Sequence, residues 1–220
     1  MDIEKDPAAN VVIDPINSEP LHRGFLKVAR ETFRFGKFDG TMSDPVMREV
    51  MDRGDSAAVL PYDPFTDTVA LIRQFLPGAQ FNNLPNRPLQ IIAGGVGWNE
   101  FDQEVARREA LEEAGITLNR LAHAHYFLPS PGASTERIAT FIGEAGLAPE
   151  IHGSIHGLAE EHEDIRVELF TADEAIQLLD EGQIEAGPAV VALSWFARHR
   201  QALRSQWLAS PSAEFQRRRN

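Results

Sequence analysis

A short apolar run, Leu89-Gln90-Ile91-Ile92-Ala93, stops at Gly94-Gly95 and leads into a segment, Phe101 to Ala114, whose small or apolar residues Val105, Ala106, Ala110, Leu111 and Ala114 recur at helical spacing. The segment ends at Gly115, a favoured residue just past a helix. A strand that turns through glycines into a helix is an α/β unit, and this one is loaded with charge. Five glutamates lie between Gly94 and Ile116, of which Glu109, Glu112 and Glu113 fall at i, i+3 and i+4 and so crowd one helix edge. Like charges at that spacing destabilise a helix by ~0.2 to 0.5 kcal/mol per pair. Either solvent and Arg107 or Arg108 relieve the repulsion, or a dication does. The glycine-rich turn puts free carbonyls beside the acidic edge, and hard cations such as Mg²⁺ take such oxygen ligands and bridge to phosphate. The segment therefore points to metal-assisted hydrolysis or transfer on a phosphorylated substrate.

Composition narrows the chemistry. The 220 residues are 43% hydrophobic and contain no cysteine, so a real core can form while disulfides, thiolate metal sites and a Cys nucleophile are excluded. Lys and Arg number 21 against 33 Asp and Glu, a formal net charge of −12, which makes nucleic acid a poor partner. The start, Met1-Asp2-Ile3-Glu4-Lys5-Asp6, lacks the pattern of a signal peptide, and the uncharged stretch Ala186 to Ala197 is far short of the ~20 residues of a membrane span. A cytoplasmic protein without a membrane association is expected.

Other elements follow from alternation and turn residues. Residues 1 to about 20, with Pro7, Pro15 and Pro20, read as extended over the surface, and Phe25 to Thr41 as a small antiparallel sheet closed by Asp39-Gly40. Met42 to Asp55 reads as a polar connection. Two apolar runs around Asp63-Pro64 form a hairpin, Ala57 to Tyr62 with Thr68 to Phe75, and Leu76 to Pro88, with three prolines, reads as a loop. Strands are expected at His123 to Leu128, Arg137 to Gly143 and Ile165 to Phe170, an acidic loop at Leu147 to Asp164, a helix capped by Thr171 and running through Glu181, and a last helix after Gly187-Pro188. The histidines offer no ligand-like pair, and His152, His156 and His162 read as loop surface. The expected organisation is an N-terminal β appendage over 1–55, a catalytic domain over 56–209 and a flexible tail, 210–220, holding Arg217-Arg218-Arg219.

Gly94, five residues, Glu100, seven residues, then Arg108-Glu109-Ala110-Leu111-Glu112-Glu113-Ala114-Gly115-Ile116 resembles the Nudix box at every defining position. Ser130-Pro131-Gly132, with Pro131 fifteen residues after Ile116, resembles the downstream proline marker of the ADP-ribose pyrophosphatase group, and 156–167 and 181–184 also look familial. The resemblance implies an α/β fold, a Nudix α/β/α sandwich with a mixed β-sheet, plus an antiparallel β appendage that makes a homodimer. It implies a nucleoside diphosphate sugar substrate and Mg²⁺, with Mn²⁺ as an alternative. Carried over by position, Glu109, Glu112, Glu113, Glu163 and the carbonyl of Ala93 would hold metal, Glu161 would be the general base, and Arg108 and Glu100 would orient. Phe25 would stack on adenine, Arg48 would contact substrate across the dimer, and Glu136 would lie near the terminal ribose. The chain departs from the group's pattern at Leu76, Gln90 and Gly97-Trp98-Asn99, positions where the group commonly has Arg, Glu and an acidic residue followed by Gly. Three readings stay open: hydrolysis of ADP-ribose, hydrolysis of another nucleoside diphosphate sugar such as GDP-mannose or ADP-glucose, and a non-catalytic Nudix-fold nucleotide sensor.

Overall fold

The structure is a computed structural model that describes residues 9–210 and 212. Pro7 and Arg217 to Arg219 lie outside those residues. The chain divides into two compact units, one of residues up to Gly54 together with Leu128–Glu136, the other of Asp55–Phe127 with the residues from Arg137 onward.

The first unit is a three-stranded antiparallel sheet in the order β1 (Ile13–Arg23), β2 (Lys27–Phe35), β3 (Val46–Asp52). All three strands correct the sequence reading. β2 is one continuous strand where Phe25 to Thr41 reads as a small sheet of its own, since its partners β1 and β3 lie outside that segment. β1 lies in the segment read as merely extended, because its prolines fall at a sheet edge, with register irregularities beside Pro15 and Pro20 where the missing N–H groups are tolerated. β3 lies in the segment read as a polar connection, since Met47, Arg48 and Glu49 face solvent while Val46 and Val50 carry the strand's half-buried side. Leu128–Glu136 is tied to β3 by the amide of Met51 donating to the carbonyl of Ala133 at 2.8 Å and that of Thr135 donating to Met51 at 3.0 Å.

The second unit is an eight-stranded mixed sheet with helices on both faces. Its elements are β4 (Ser56–Asp63), β5 (Thr68–Arg73), α1 (Pro77–Phe81), β6 (Leu89–Gln90), β7 (Ile92–Gly95), α2 (Asp102–Ala114), β8 (Leu121–Phe127), β9 (Ile138–Glu144), β10 (Ile155–His156), β11 (Ile165–Thr171), α3 (Ala172–Asp180) and α4 (Gly187–Ala209). The strand order is β10-β11-β5-β4-β9-β8, with β6 on β5 and β7 on β4, and the central β4–β9 pair is parallel. Alternation along β4 feeds two cores: Ala58, Leu60 and Tyr62 pack with α3 and α4, Ala57 and Val59 with α2. This is the α/β/α sandwich with its mixed sheet. The run 89–93 is two strands interrupted at Ile91, and the proline-bearing segment after Leu76 contains α1, which Pro77 can start because its missing N–H would be unpaired there anyway. Thr171 caps α3 as expected, its Oγ1 accepting from the Glu174 amide at 3.2 Å while the Glu174 carboxylate accepts from the Thr171 amide at 2.8 Å. Among the described residues no helix is long and apolar enough to cross a membrane.

Candidate active site

The carboxylates gather where β7 turns into α2. Pairing of Ala58 with Ala93 and of Ala57 with Gly94 fixes β7 beside β4. Ala106, Ala110 and Ala114 bury the facing stripe of α2 and let the helix lie close to the sheet. Gly115 ends it with φ 64°, a left-handed conformation that disfavours any residue with a Cβ.

Glu113 is 3% exposed, and its Oε2 accepts from the Ala93 amide at 3.2 Å. Burial pushes its carboxyl up to about 8, against the Ala93 amide and a hydrogen bond from Gln74, and the charges of Glu109 and Glu163 push the same way. Burial likewise raises Glu109, against the pull of Arg108, with Glu112 and Glu163 adding to the rise. Glu109 folds over Gly94 so closely that a Cβ there would sit 1.7 Å from its Oε1. A side chain at Gly94 would have to displace the end of the Glu109 side chain from where it lies.

Arg108 is the cation that relieves the helix edge. Its Nη1 lies 2.8 Å from Glu109 and 3.0 Å from Glu112, and its Nε donates to Glu100 at 3.3 Å. Burial opposes its charge, but these carboxylates hold the guanidinium firmly protonated. Glu100 is held below the usual carboxylate range by the Gly97 amide, which donates at 2.8 Å, and by Arg108. Arg107 turns away to the carbonyls of Leu118 and Asn119.

The acidic loop supplies Glu163, half-buried, whose Oε2 accepts from the Leu158 amide at 3.0 Å. Glu161 stands apart: it is exposed at the end of a 3-10 turn, Ala159–Glu161, its amide donates to the Leu158 carbonyl at 3.1 Å, and its carboxylate has no hydrogen bond or ion pair among the described residues. Of the loop histidines read as surface, His152 and His162 are exposed as expected and His156 corrects the reading. His156 is half-buried with Nε2 2.8 Å from Ser154 Oγ, and His152 Nδ1 accepts from the Leu169 amide at 3.0 Å. Sequence reasoning assigned no role to Gln74; its signal was its place two residues after Ile72, on the strand face that meets α2. Gln90, a departure from the group's pattern, has its amide nitrogen buried without a partner. Trp98 is 94% exposed on the turn before α2.

Phe25, Arg48 and Glu136 belong to the first unit. Phe25 is 89% exposed in the turn that joins β1 to β2. Arg48 lies exposed on β3, its Nη1 donating to the Met47 carbonyl at 2.7 Å. Glu136 is 6% exposed and ion-paired with Arg53 at 3.3 Å.

The sequence profile of the NUDIX domain matches residues 52–193. The chain is a Nudix family member. It is 40% identical over 195 residues to the ADP-ribose pyrophosphatase of Escherichia coli K12, covering 89% of this chain and 92% of that one. It is 31% identical over 190 residues to the GDP-mannose pyrophosphatase of Yersinia enterocolitica, covering 86% and 97%. A crystal structure titled as an ADP compounds hydrolase shares the fold of this Nudix protein with a TM-score of 0.65 at 21% identity, covering 88% of this chain and 95% of that one. These matches place the chain in the ADP-ribose pyrophosphatase group of the Nudix hydrolases.

The donors at the α2 edge fit a hard divalent cation in kind: they are all oxygen, and Glu109 and Glu113 carry burial-raised carboxyls whose charge a cation would stabilise. Among the described residues no three Asp, Glu or His side chains converge on one point as a finished set of ligands. Arg108 and the Ala93 and Leu158 amides hold the carboxylates in the arrangement seen.

Proposed function

We propose that this Nudix hydrolase cleaves the diphosphate bridge of ADP-ribose with water, giving AMP and ribose 5-phosphate. The observation that carries the reading is buried Glu113 beside half-buried Glu109, which lies against Gly94, joined by the charge of Glu163, in a chain 40% identical to an ADP-ribose pyrophosphatase over most of its length. Glu109, Glu112, Glu113, Glu163 and the Ala93 carbonyl hold divalent metal, Mg²⁺ foremost with Mn²⁺ as substitute. Bound there, it acidifies water and neutralises charge on the diphosphate. Glu161 takes the proton of the attacking water as the new P–O bond forms, and the bond to the bridging oxygen breaks with its electrons going to the departing phosphate. Among the described residues the exposed carboxylate of Glu161 has no competing partner. Arg108 and Glu100 orient the helix carboxylates through the contacts at 2.8 to 3.3 Å.

In the same reading 56–209 is the catalytic domain and 1–55 the appendage through which a cytoplasmic homodimer forms. Phe25 stacks on adenine, Arg48 contacts the substrate and Glu136 lies near its terminal ribose. A second reading, hydrolysis of GDP-mannose or another nucleoside diphosphate sugar, is favoured by the 31% identity to a GDP-mannose pyrophosphatase and by Gln90 and Leu76. Product analysis over ADP-ribose, ADP-glucose and GDP-mannose with Mg²⁺ and Mn²⁺ separates them. ADP-ribose is expected to turn over fastest, and equal or faster turnover of a guanine substrate overturns the first reading. No hydrolysis of any of them with either metal leaves the nucleotide sensor.

A further inference from the structure

The acidic loop has a clasp at its base. Residues 157–164 bulge out between β10 and β11, whose pairing of His156 with Ile165 holds the two ends of the bulge together. Glu161 and Glu163 both ride on it. Two contacts join its base to the C-terminus of α2, the helix that carries Glu109, Glu112 and Glu113, and a third orients the histidine that makes one of them. The Gly157 amide donates to the Glu112 carbonyl at 3.2 Å, satisfying one of the last carbonyls that a helix leaves without a partner. The His156 ring lies over Gly115, where a Cβ would come within 2.7 Å of its Cε1. Ser154 Oγ lies 2.8 Å from His156 Nε2 and donates to the Ile151 carbonyl at 2.6 Å. A serine has one hydroxyl proton, so with that proton on Ile151 the Oγ must accept from Nε2–H, which fixes the ring's orientation.

Gly115 thus answers two demands, its positive φ and the space under the imidazole, and the second is unrelated to ending a helix. We propose that His156 is a positioning residue for the hydrolysis: seated on Gly115 and oriented by Ser154, it sets the loop carrying Glu161 and Glu163 against the end of α2. It touches no reacting atom. Its effect follows from the sensitivity of catalysis to placement, since a shift of about 1 Å in a reacting group costs on the order of a hundredfold in rate. The proposal rests on the hydrolase reading above for its kinetic consequence, and on the clasp alone for its structural one.

The test compares His156→Leu, which keeps bulk over Gly115 without the donor, with His156→Gln, whose amide can donate to Ser154. His156→Leu is expected to lower kcat by about 10- to 100-fold with KM within about threefold, and His156→Gln to recover most of the loss. Amide exchange at Gly157, Glu161 and Glu163 should accelerate at least about tenfold in His156→Leu while that of Ile142 in β9 stays unchanged. General destabilisation would accelerate both. Gly115→Ala should lower kcat less in a His156→Ala background, where the space over Gly115 is freed, than in the parent, because its backbone strain is common to both and cancels. Should His156→Leu fail to fold, Ser154→Ala takes its place with the same expectations. Unchanged exchange at the loop amides, or fully additive effects of the two substitutions, overturns the proposal. If the parent hydrolyses no nucleoside diphosphate sugar, the functional reading falls, and the exchange arm alone decides whether the clasp holds the loop.

Discussion

The two sheets treat their side chains in opposite ways. In the eight-stranded sheet every residue of β4 and β9 is buried, helices cover both faces, and carboxylates such as Glu113 and Glu144 are held inside. In the three-stranded sheet no residue of β1, β2 or β3 is fully buried, and its charges are paired across strands at the surface, with Arg30 3.0 Å from Glu19 and 3.5 Å from Glu49. The difference teaches where chemistry and stability reside. A buried carboxylate is costly and needs a partner, as Arg120 provides for Glu144, whereas an exposed pair is screened and expendable.

The comparison can be broken at several strengths. The largest effect is expected from Glu113→Gln, which keeps the acceptor for the Ala93 amide but removes a carboxylate from the cluster: kcat should fall by about a thousandfold, with the circular dichroism spectrum and melting temperature preserved. Hydrolysis close to the parent's would sink the assignment of Glu113 to the metal.

Core truncation ranks next. Phe196, fully buried against Tyr62 with ring centroids 4.8 Å apart, should lose about 3 to 5 kcal/mol as Phe196→Ala. Met47→Ala, at a β3 residue that is 57% exposed, should stay within about 0.5 kcal/mol. Urea unfolding of both variants checks the contrast, and comparable losses would show that the three-stranded sheet has a core of its own.

A pH effect comes third. Burial pushes Asp67 up, but hydrogen bonds from Arg200, whose Nε lies 2.9 Å from Oδ1, and from Tyr62 at 2.7 Å hold its carboxyl below the usual range. A carboxyl depressed in the folded state adds stability above its unfolded pKa, and that stability disappears as pH falls through the folded value. The parent should therefore lose this contribution below about pH 4. Asp67→Asn, which tolerates the positive φ of 57°, should be less stable at pH 7 and show a flatter acid limb in melts from pH 7 to 2. Parallel curves would remove Asp67 from the acid response.

The smallest effect is expected at Arg30. Its side chain is 35% exposed, so Arg30→Ala should cost at most about 1 kcal/mol, and less at 1 M salt. A larger, salt-independent loss would mean that the surface pairs of the first unit carry more than screening allows.

Much of the second unit was legible because its signals are local. The alternation in Ala57 to Tyr62, the spacing of Ala106, Ala110 and Ala114, the stop at Gly115 and the cap at Thr171 depend on neighbours a few residues away. The first unit was less legible. β1 is exposed throughout and β3 is largely exposed, neither with a clear apolar face, so only pairing with β2 reveals them. In the site, the crowding of Glu109, Glu112 and Glu113 followed from helical geometry, and Arg108 was one of two cations on offer to relieve it, but the burial of Glu113 did not follow, nor the choice of Arg108 over Arg107.

The sequence by itself determined the glycine-to-helix turn, the charged edge and the family, because each is written in spacings within a single segment. Only tertiary structure decided that Glu113 is buried while Glu161 is exposed, that Gln74 reaches Glu113, and that His156 sits on Gly115 rather than in solvent. Burial and hydrogen bonding between residues 40 apart depend on how strands and helices stack, and no local pattern encodes that stacking.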